Sequence, residues 1–234
     1  MIHMRCDFFS DALELSTSMT VLMPQSTSTQ IGMGGTSREG QAPVLYLLHG
    51  LSDDDTAWMR RTSIERYASE LGIAVVMPQV HRSFYTDLAH GGGRYWAFVA
   101  GLSMGGYGAL KLALRQPGRF AAAGSLSGAL DICAVHESGS REDLVANIWG
   151  AGGPPAEDDL VELLRAADPA ALPALWATCG TDDELISHQR TVVEAAERRG
   201  IAITAEEHPG EHTWEFWDEH IQRFLAWLPL DREV

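Results

Sequence analysis

The chain has 234 residues, 45% of them hydrophobic and 21% charged, proportions that suit a soluble globular protein with a sizeable core. Its formal net charge of −15 argues against nucleic acid and anionic membrane surfaces as partners, because both repel it. No apolar run approaches the roughly 18 residues needed to span a bilayer, and Met1 to Asp7 lacks the apolar core of a signal peptide.

Cys6, Cys133 and Cys179 are an odd number without metal-ligand spacing, so they read as free thiols of a reducing compartment. A cytoplasmic location is expected. No linker divides the chain, and residues 1–234 are read as a single domain.

Met4 to Phe9 and Ser18 to Met23 alternate loosely and are expected as two edge strands joined by a turn. Gln25 to Gln41 is rich in Ser, Thr and Gly and reads as a surface loop. Asp53-Asp54-Asp55 reads as a solvated loop, not a metal site. Val44-Leu45-Tyr46-Leu47-Leu48 is continuously apolar, as expected of a strand buried on both faces of a parallel sheet. Thr62-Ser63-Ile64-Glu65 has capping-box spacing and opens a helix to about Leu71, stopped by Gly72. Ile73 to Met77 is the next buried strand. This βα alternation defines an α/β class with a mostly parallel central sheet flanked by helices.

Trp96-Ala97-Phe98-Val99 then leads through Gly101-Leu102-Ser103-Met104-Gly105 into a helix that ends near Arg115. Strand, sharp turn and helix, with a serine at the apex and glycines beside it, describe a nucleophile elbow. Phe120 to Leu126 is expected as a strand, residues 128–157 as irregular chain, and Glu157 to Ala167 as a short helix. A strand at Ala174 to Cys179, a helix at about Glu184 to Arg199 and a strand at Ile201 to Glu206 follow. Thr213 to Leu228 closes the pattern as a helix whose apolar stripe is core packing.

A serine hydroxyl needs a base, and the base needs a carboxylate to orient it. In α/β-hydrolases these follow in the order Ser, Asp or Glu, His, each on a loop after a strand. Asp182, Asp183 and Glu184 follow one strand, and His208 and His212 follow the next. Asp183 is preferred over Asp182, and Glu184 suits the first turn of the next helix. His212 is preferred over His208 because it follows Gly210 and directly precedes the last helix. The oxyanion needs two backbone N–H donors. Met104, after the serine, supplies one, and Leu51, after His49-Gly50, supplies the other. His49 is expected to hold that loop's shape.

Tyr46-Leu47-Leu48-His49-Gly50-Leu51-Ser52, Tyr85-Thr86-Asp87, Ala100 to Gly108, Ser127-Gly128-Ala129-Leu130, Cys179-Gly180-Thr181-x-Asp183 and Gly210-x-His212-x-Trp214 occur in this order along the chain. Together these stretches resemble the putative-esterase (esterase D) family of α/β-hydrolases, and most closely its small tributyrin-esterase-type members. The resemblance implies an α/β-hydrolase fold without a large lid domain. It also implies hydrolysis of short-chain acyl esters and a triad of Ser103, Asp183 and His212. A small-molecule ester is the expected partner, with no metal or organic cofactor and with a homo-oligomer left open. S-formylglutathione hydrolase, an acyltransferase, and a non-catalytic binding protein on the same scaffold are the competing readings. In one respect the chain departs from the family. Pro78 to Tyr95 must carry the crossover to the serine's strand, and it is about 30 residues shorter than the resemblance implies.

Overall fold

A hairpin of β1 (Ile2–Ser10) and β2 (Leu15–Met23) opens the chain, and β2 also pairs antiparallel with β4 (Ala74–Pro78). The remaining strands are β3 (Val44–Leu48), β5 (Ala97–Leu102), β6 (Ala122–Leu126), β7 (Ala174–Gly180) and β8 (Ile203–His208). All five run parallel to β4, and the sheet order is β1-β2-β4-β3-β5-β6-β7-β8. This computed structural model describes residues 1–11, 15–25, 35–36, 41–80, 84–85, 97–139, 142–150 and 152–230.

The apolar runs sit where two-sided burial requires them. Phe98, Val99 and Ala100 of β5 are wholly buried, as are Leu45 and Leu47 of β3. One face of the sheet is covered by α3 (Met104–Arg115), α6 (Leu160–Ala166) and α7 (Ile186–Arg198) through residues such as Leu110, Leu164 and Val192. The other is covered by α2 (Ile64–Leu71) and α8 (Trp214–Trp227) through Ile64, Ile221 and Phe224. The stripe expected on the last helix is therefore core, with Trp217, Ile221, Phe224 and Leu225 buried.

Four expectations need correction. β2 lies inside the sheet, between β1 and β4, so of these two strands β1 alone is at an edge. Residues 128–157 hold two short helices, α4 (Ile132–Glu137) and α5 (Glu142–Trp149). Another short helix, α1 (Ala57–Arg61), precedes α2. The capping box does not form. Ser63 is the N-cap of α2 without a side-chain cap, and the Ile64 N–H donates to Thr62 Oγ1 at 3.1 Å. Gly72 does end that helix, at φ 65°. Finally, Asp55 is not solvated. It is buried and accepts hydrogen bonds from Ser18 Oγ at 3.2 Å and Thr20 Oγ1 at 3.0 Å, tying the loop after β3 to β2.

Most of Gln25 to Gln41 lies outside the described residues, as does most of the crossover between β4 and β5. Nevertheless β5 takes its place between β3 and β6, with Leu48 opposite Gly101 and Leu102 opposite Leu126. The 18 residues from Gln79 to Trp96 reach about 60 Å when extended. Returning along one strand and past a neighbour requires roughly 20 Å. A helix is therefore not required for the chain to close this connection.

A buried ion pair ties the serine's helix to the chain that follows α5. Lys111 Nζ of α3 lies 2.5 Å from Asp158 Oδ1, with side chains 2% and 8% exposed. Trp149 Nε1–H donates to Asp158 Oδ2 at 2.6 Å. Replacing Asp158 with alanine leaves a cation buried without its partner, and about 3–5 kcal/mol of stability should be lost. The double variant Lys111→Met/Asp158→Leu should recover most of it. Urea denaturation checks both expectations, and a loss below about 1 kcal/mol for Asp158→Ala contradicts the assignment.

Candidate active site

Ser103 is the single residue between β5 and α3, held at φ 52° and ψ −118°. For a residue with a Cβ this conformation costs about 1–3 kcal/mol, so surrounding contacts must enforce it. The Ser103 N–H donates to the Leu126 carbonyl at 3.0 Å, while the Ser103 carbonyl accepts from Ala129 N–H at 3.1 Å and Tyr107 N–H at 3.2 Å. The glycines explain how strand and helix come so close. A Cβ at Gly101 would stand 2.5 Å from the Gly105 carbonyl, and one at Gly105 would stand 2.6 Å from the Leu48 carbonyl oxygen.

The loop after β3 is fixed by hydrogen bonds from four directions. Trp58 Nε1–H donates to the Leu48 carbonyl at 3.0 Å, and Tyr85 Oη–H donates to the His49 carbonyl at 2.8 Å. His49 Nδ1–H donates to the Gly50 carbonyl at 2.7 Å, and its Nε2 accepts from Val80 N–H at 3.2 Å. These partners fix the neutral tautomer with both ring nitrogens engaged. Burial pushes the His49 pKa below its ordinary value, against the Gly50 carbonyl and the carboxylates of Asp53, Asp54 and Asp55. The loop-holding role expected of His49 fits this geometry. Leu51 stands in the turn closed by Asp53 N–H on the Gly50 carbonyl at 3.3 Å. Met104 opens α3, where the first N–H groups of a helix have no intrahelical acceptor.

Asp183 and His212 meet. His212 Nδ1 lies 2.9 Å from Asp183 Oδ2, and Asp183 Oδ1 accepts from Leu185 N–H at 2.9 Å. Burial raises the cost of charging Asp183, but the His212 and Leu185 hydrogen bonds and the nearby Ser127 hydroxyl outweigh it. Its carboxyl is held below the ordinary carboxylate value. With Nδ1–H donated to Asp183, His212 Nε2 carries the lone pair. The ring rests edge-on against Trp217, 4.9 Å between centroids.

The other candidates are placed elsewhere. Asp182 is exposed and takes a hydrogen bond from Thr181. His208 Nε2 is engaged by Glu206 Oε2 at 2.9 Å. Glu184 is not a first-turn acid, since α7 begins at Ile186 after an N-cap at Leu185.

Ser103, His212, Leu51 and Met104 all line one cavity of about 810 Å³. Its walls include side chains that sequence reasoning did not single out, notably Phe84, Val135, Leu185, His188 and Trp217. His188 Nδ1 accepts from Asp131 N–H at 3.3 Å, which leaves the proton on Nε2. Beneath the site, burial and the Asp183 carboxylate push the Cys179 thiol up to about 12, so it stays protonated. The three cysteines are free. Among the described residues no group of His, Cys, Asp and Glu is arranged to hold a metal, and no helix is long and apolar enough to cross a membrane.

Burial also lowers the pKa of His188 and of His220, whose Nδ1–H donates to the Phe216 carbonyl at 2.7 Å. His49, His188 and His220 thus bind protons more weakly folded than unfolded. Stability is full above the unfolded histidine value of about 6.5 and is lost as pH falls from there through the lowered values. Asp183 adds a second loss, from the ordinary carboxylate value of about 4 downward. The melting temperature should therefore fall between pH 7 and pH 5, and a flat profile over that interval contradicts this reading.

The order of the sheet, the elbow between β5 and α3, and the loops after β7 and β8 are those of an α/β-hydrolase. Residues 89–228 match the model of the family described as "Putative esterase". The chain belongs to that family and is a serine hydrolase. It is 30% identical to an S-formylglutathione hydrolase of Staphylococcus aureus, with a TM-score of 0.78 over 97% of this chain and 98% of that one. A fluorophosphonate-binding serine hydrolase of the same organism is 29% identical, with a TM-score of 0.80 over 99% of each chain. An acetyl esterase of Caldicellulosiruptor saccharolyticus is 25% identical over 97% of this chain and 98% of its own. That alignment runs over 263 positions, more than the 234 residues of this chain, so the relative carries chain that this one lacks.

Proposed function

We propose that the chain hydrolyses short-chain acyl esters through an acyl-enzyme on Ser103. His212 Nε2 takes the Ser103 proton as Oγ bonds to the ester carbonyl carbon. The N–H groups of Leu51 and Met104 hold the oxyanion, and Asp183 stabilises the imidazolium. As the tetrahedral species collapses, the C–O bond to the alcohol breaks and His212 gives the leaving oxygen its proton. Water, deprotonated by His212, then attacks the acyl carbon and releases the acid and Ser103. The observation that carries this reading is the 2.9 Å contact of His212 with buried Asp183, opening onto the cavity that Ser103 lines.

Short acyl groups are favoured because, among the described residues, the chain between β6 and β7 provides only α4, α5 and α6, of six to eight residues each, and no lid domain. The free thiols support a cytoplasmic location. A small-molecule ester suffices as partner, without a cofactor. Turnover of p-nitrophenyl acetate and butyrate should exceed that of the decanoate by about tenfold or more in kcat/KM. The thioesterase reading draws on the 30% identical S-formylglutathione hydrolase. A large preference for S-formylglutathione over the acetate ester would replace the carboxylesterase reading with it.

A further inference from the structure

The cavity wall holds a second histidine that the triad does not use. His188 lies in the first turn of α7 and shares its part of the wall with Ala134 and Val135 of α4 and with Leu185. Its ring is held by the loop after β6, where the Asp131 N–H donates to Nδ1 at 3.3 Å. That bond takes the lone pair of the neutral imidazole and leaves the proton on Nε2. Burial lowers the pKa of the ring, which keeps it neutral at pH 7.

The Nε2–H group meets no acceptor among the described residues. The carboxylates of Asp131, Asp183 and Glu184 act on the ring electrostatically, yet none forms an ion pair with it. Both oxygens of Asp183 are already taken, by His212 and by the Leu185 N–H. Nor is Nε2 one of the nitrogens shut away from solvent without a partner, as Nε1 of Trp176 and Nε1 of Trp217 are. The protein therefore fixes this donor through Nδ1 and leaves it open in the wall of the cavity that Ser103 lines.

That arrangement excludes one role and favours another. With its lone pair bound to Asp131 N–H, His188 is not placed to act as a second general base. A fixed donor in a wall of Ala134, Val135 and Leu185 instead orients what enters, as the few polar groups of an apolar pocket do. Ser138 and Glu184, the other polar side chains on this side, are exposed. A substrate without an acceptor would strip water from Nε2–H and return no hydrogen bond, so it is disfavoured against one that supplies an oxygen.

We propose that His188 is a specificity-determining residue whose Nε2–H donates to an oxygen of the substrate outside the scissile ester group. The esters turned over best then carry such an oxygen in the acyl or the alcohol part. This rests on the ester hydrolysis proposed for Ser103 and names a preference within it.

Two pairs of esters test the proposal, each exchanging one ether oxygen for a methylene. On the acyl side, p-nitrophenyl methoxyacetate is compared with p-nitrophenyl butyrate. On the alcohol side, 2-methoxyethyl acetate is compared with n-butyl acetate. Intrinsic reactivity cancels when the preference within a pair is compared between the parent and His188→Leu. In one pair the kcat/KM preference for the ether should fall about fivefold in the variant, and the pair affected tells which side of the ester faces His188. Turnover of the all-carbon member should stay within about twofold. His188→Gln, whose amide N–H reaches about as far as Nε2, should restore part of the preference. A residue that only anchors α7 to the Asp131 loop would lower both members of a pair alike and would not be rescued. If His188→Leu does not fold, His188→Asn, too short to place a donor at the Nε2 position, carries the same comparison. Unchanged preference in both pairs, or equal loss for ether and hydrocarbon, would overturn the proposal while leaving ester hydrolysis intact. A parent protein that turns over none of these esters, nor p-nitrophenyl acetate, would overturn the ester reading and this preference with it.

Discussion

Replacing Ser103 with alanine should lower ester turnover by about five to six orders of magnitude, because the reaction loses its nucleophile. The variant should keep the fold, since the backbone bonds to Leu126, Ala129 and Tyr107 do not involve the side chain. A second substitution separates catalysis from strain. Ser103 is held at φ 52° and ψ −118°, where a Cβ costs about 1–3 kcal/mol. Glycine removes that cost, while adding about 0.4–1 kcal/mol of unfolded-state entropy relative to alanine. Strain relief is the larger effect, so Ser103→Gly should be inactive yet about 1 kcal/mol more stable than Ser103→Ala. Equal stability of the two variants by urea denaturation would contradict the strained-elbow account.

Asp183→Asn should cost about three to four orders of magnitude in kcat at neutral pH, with little change in fold. Asp183 uses both oxygens as acceptors, one for Leu185 N–H and one for His212 Nδ1–H. An amide has one oxygen to give. If it faces Leu185, the NH₂ faces His212 Nδ1 and selects the tautomer whose Nε2 already carries a proton. If it faces His212, two donors meet at Leu185 and the carboxylate charge is still lost. Asp182→Asn and His208→Ala, whose side chains are engaged elsewhere, should stay within about twofold of the parent. A loss below tenfold for Asp183→Asn in p-nitrophenyl acetate turnover would contradict the assigned pair.

The parts of this protein that could be read from its sequence are those with a local cause. Val44 to Leu48 is apolar without interruption because β3 is buried on both faces, and its bounds follow directly from that run. Gly101 and Gly105 mark a close approach that any larger residue would prevent. The loops that bring Asp183 and His212 together were legible because each follows a strand, β7 and then β8, in the order such hydrolases use.

What was not legible depends on partners distant in the chain. Helices α4 and α5 are short, and Ile132 and Val145 are their only buried residues. They are held from outside their own periodicity, α4 by the Asp131 cap on Ala134 N–H and α5 by Trp149 on Asp158. Asp55 looks like part of a charged loop until the β2 hydroxyls of Ser18 and Thr20, more than 30 residues earlier, are placed against it. His188 enters the cavity wall because the start of α7 meets the loop after β6, with Asp131 57 positions away. The crossover between β4 and β5 lies mostly outside the described residues. Family resemblance implies a helix there, whereas chain reach alone sets the physical minimum, and 18 residues exceed it.

The central claim is that the elbow, the His212–Asp183 pair and the two N–H donors make Ser103 a nucleophile. Treating the folded protein with a fluorophosphonate, and reading the adduct by intact mass and peptide mapping, tests it directly. One equivalent should attach at Ser103, none should attach in Ser103→Ala, and His212→Ala should label far more slowly. Folded protein in which Ser103 stays unlabelled would contradict the account and leave a hydrolase scaffold that binds without catalysing.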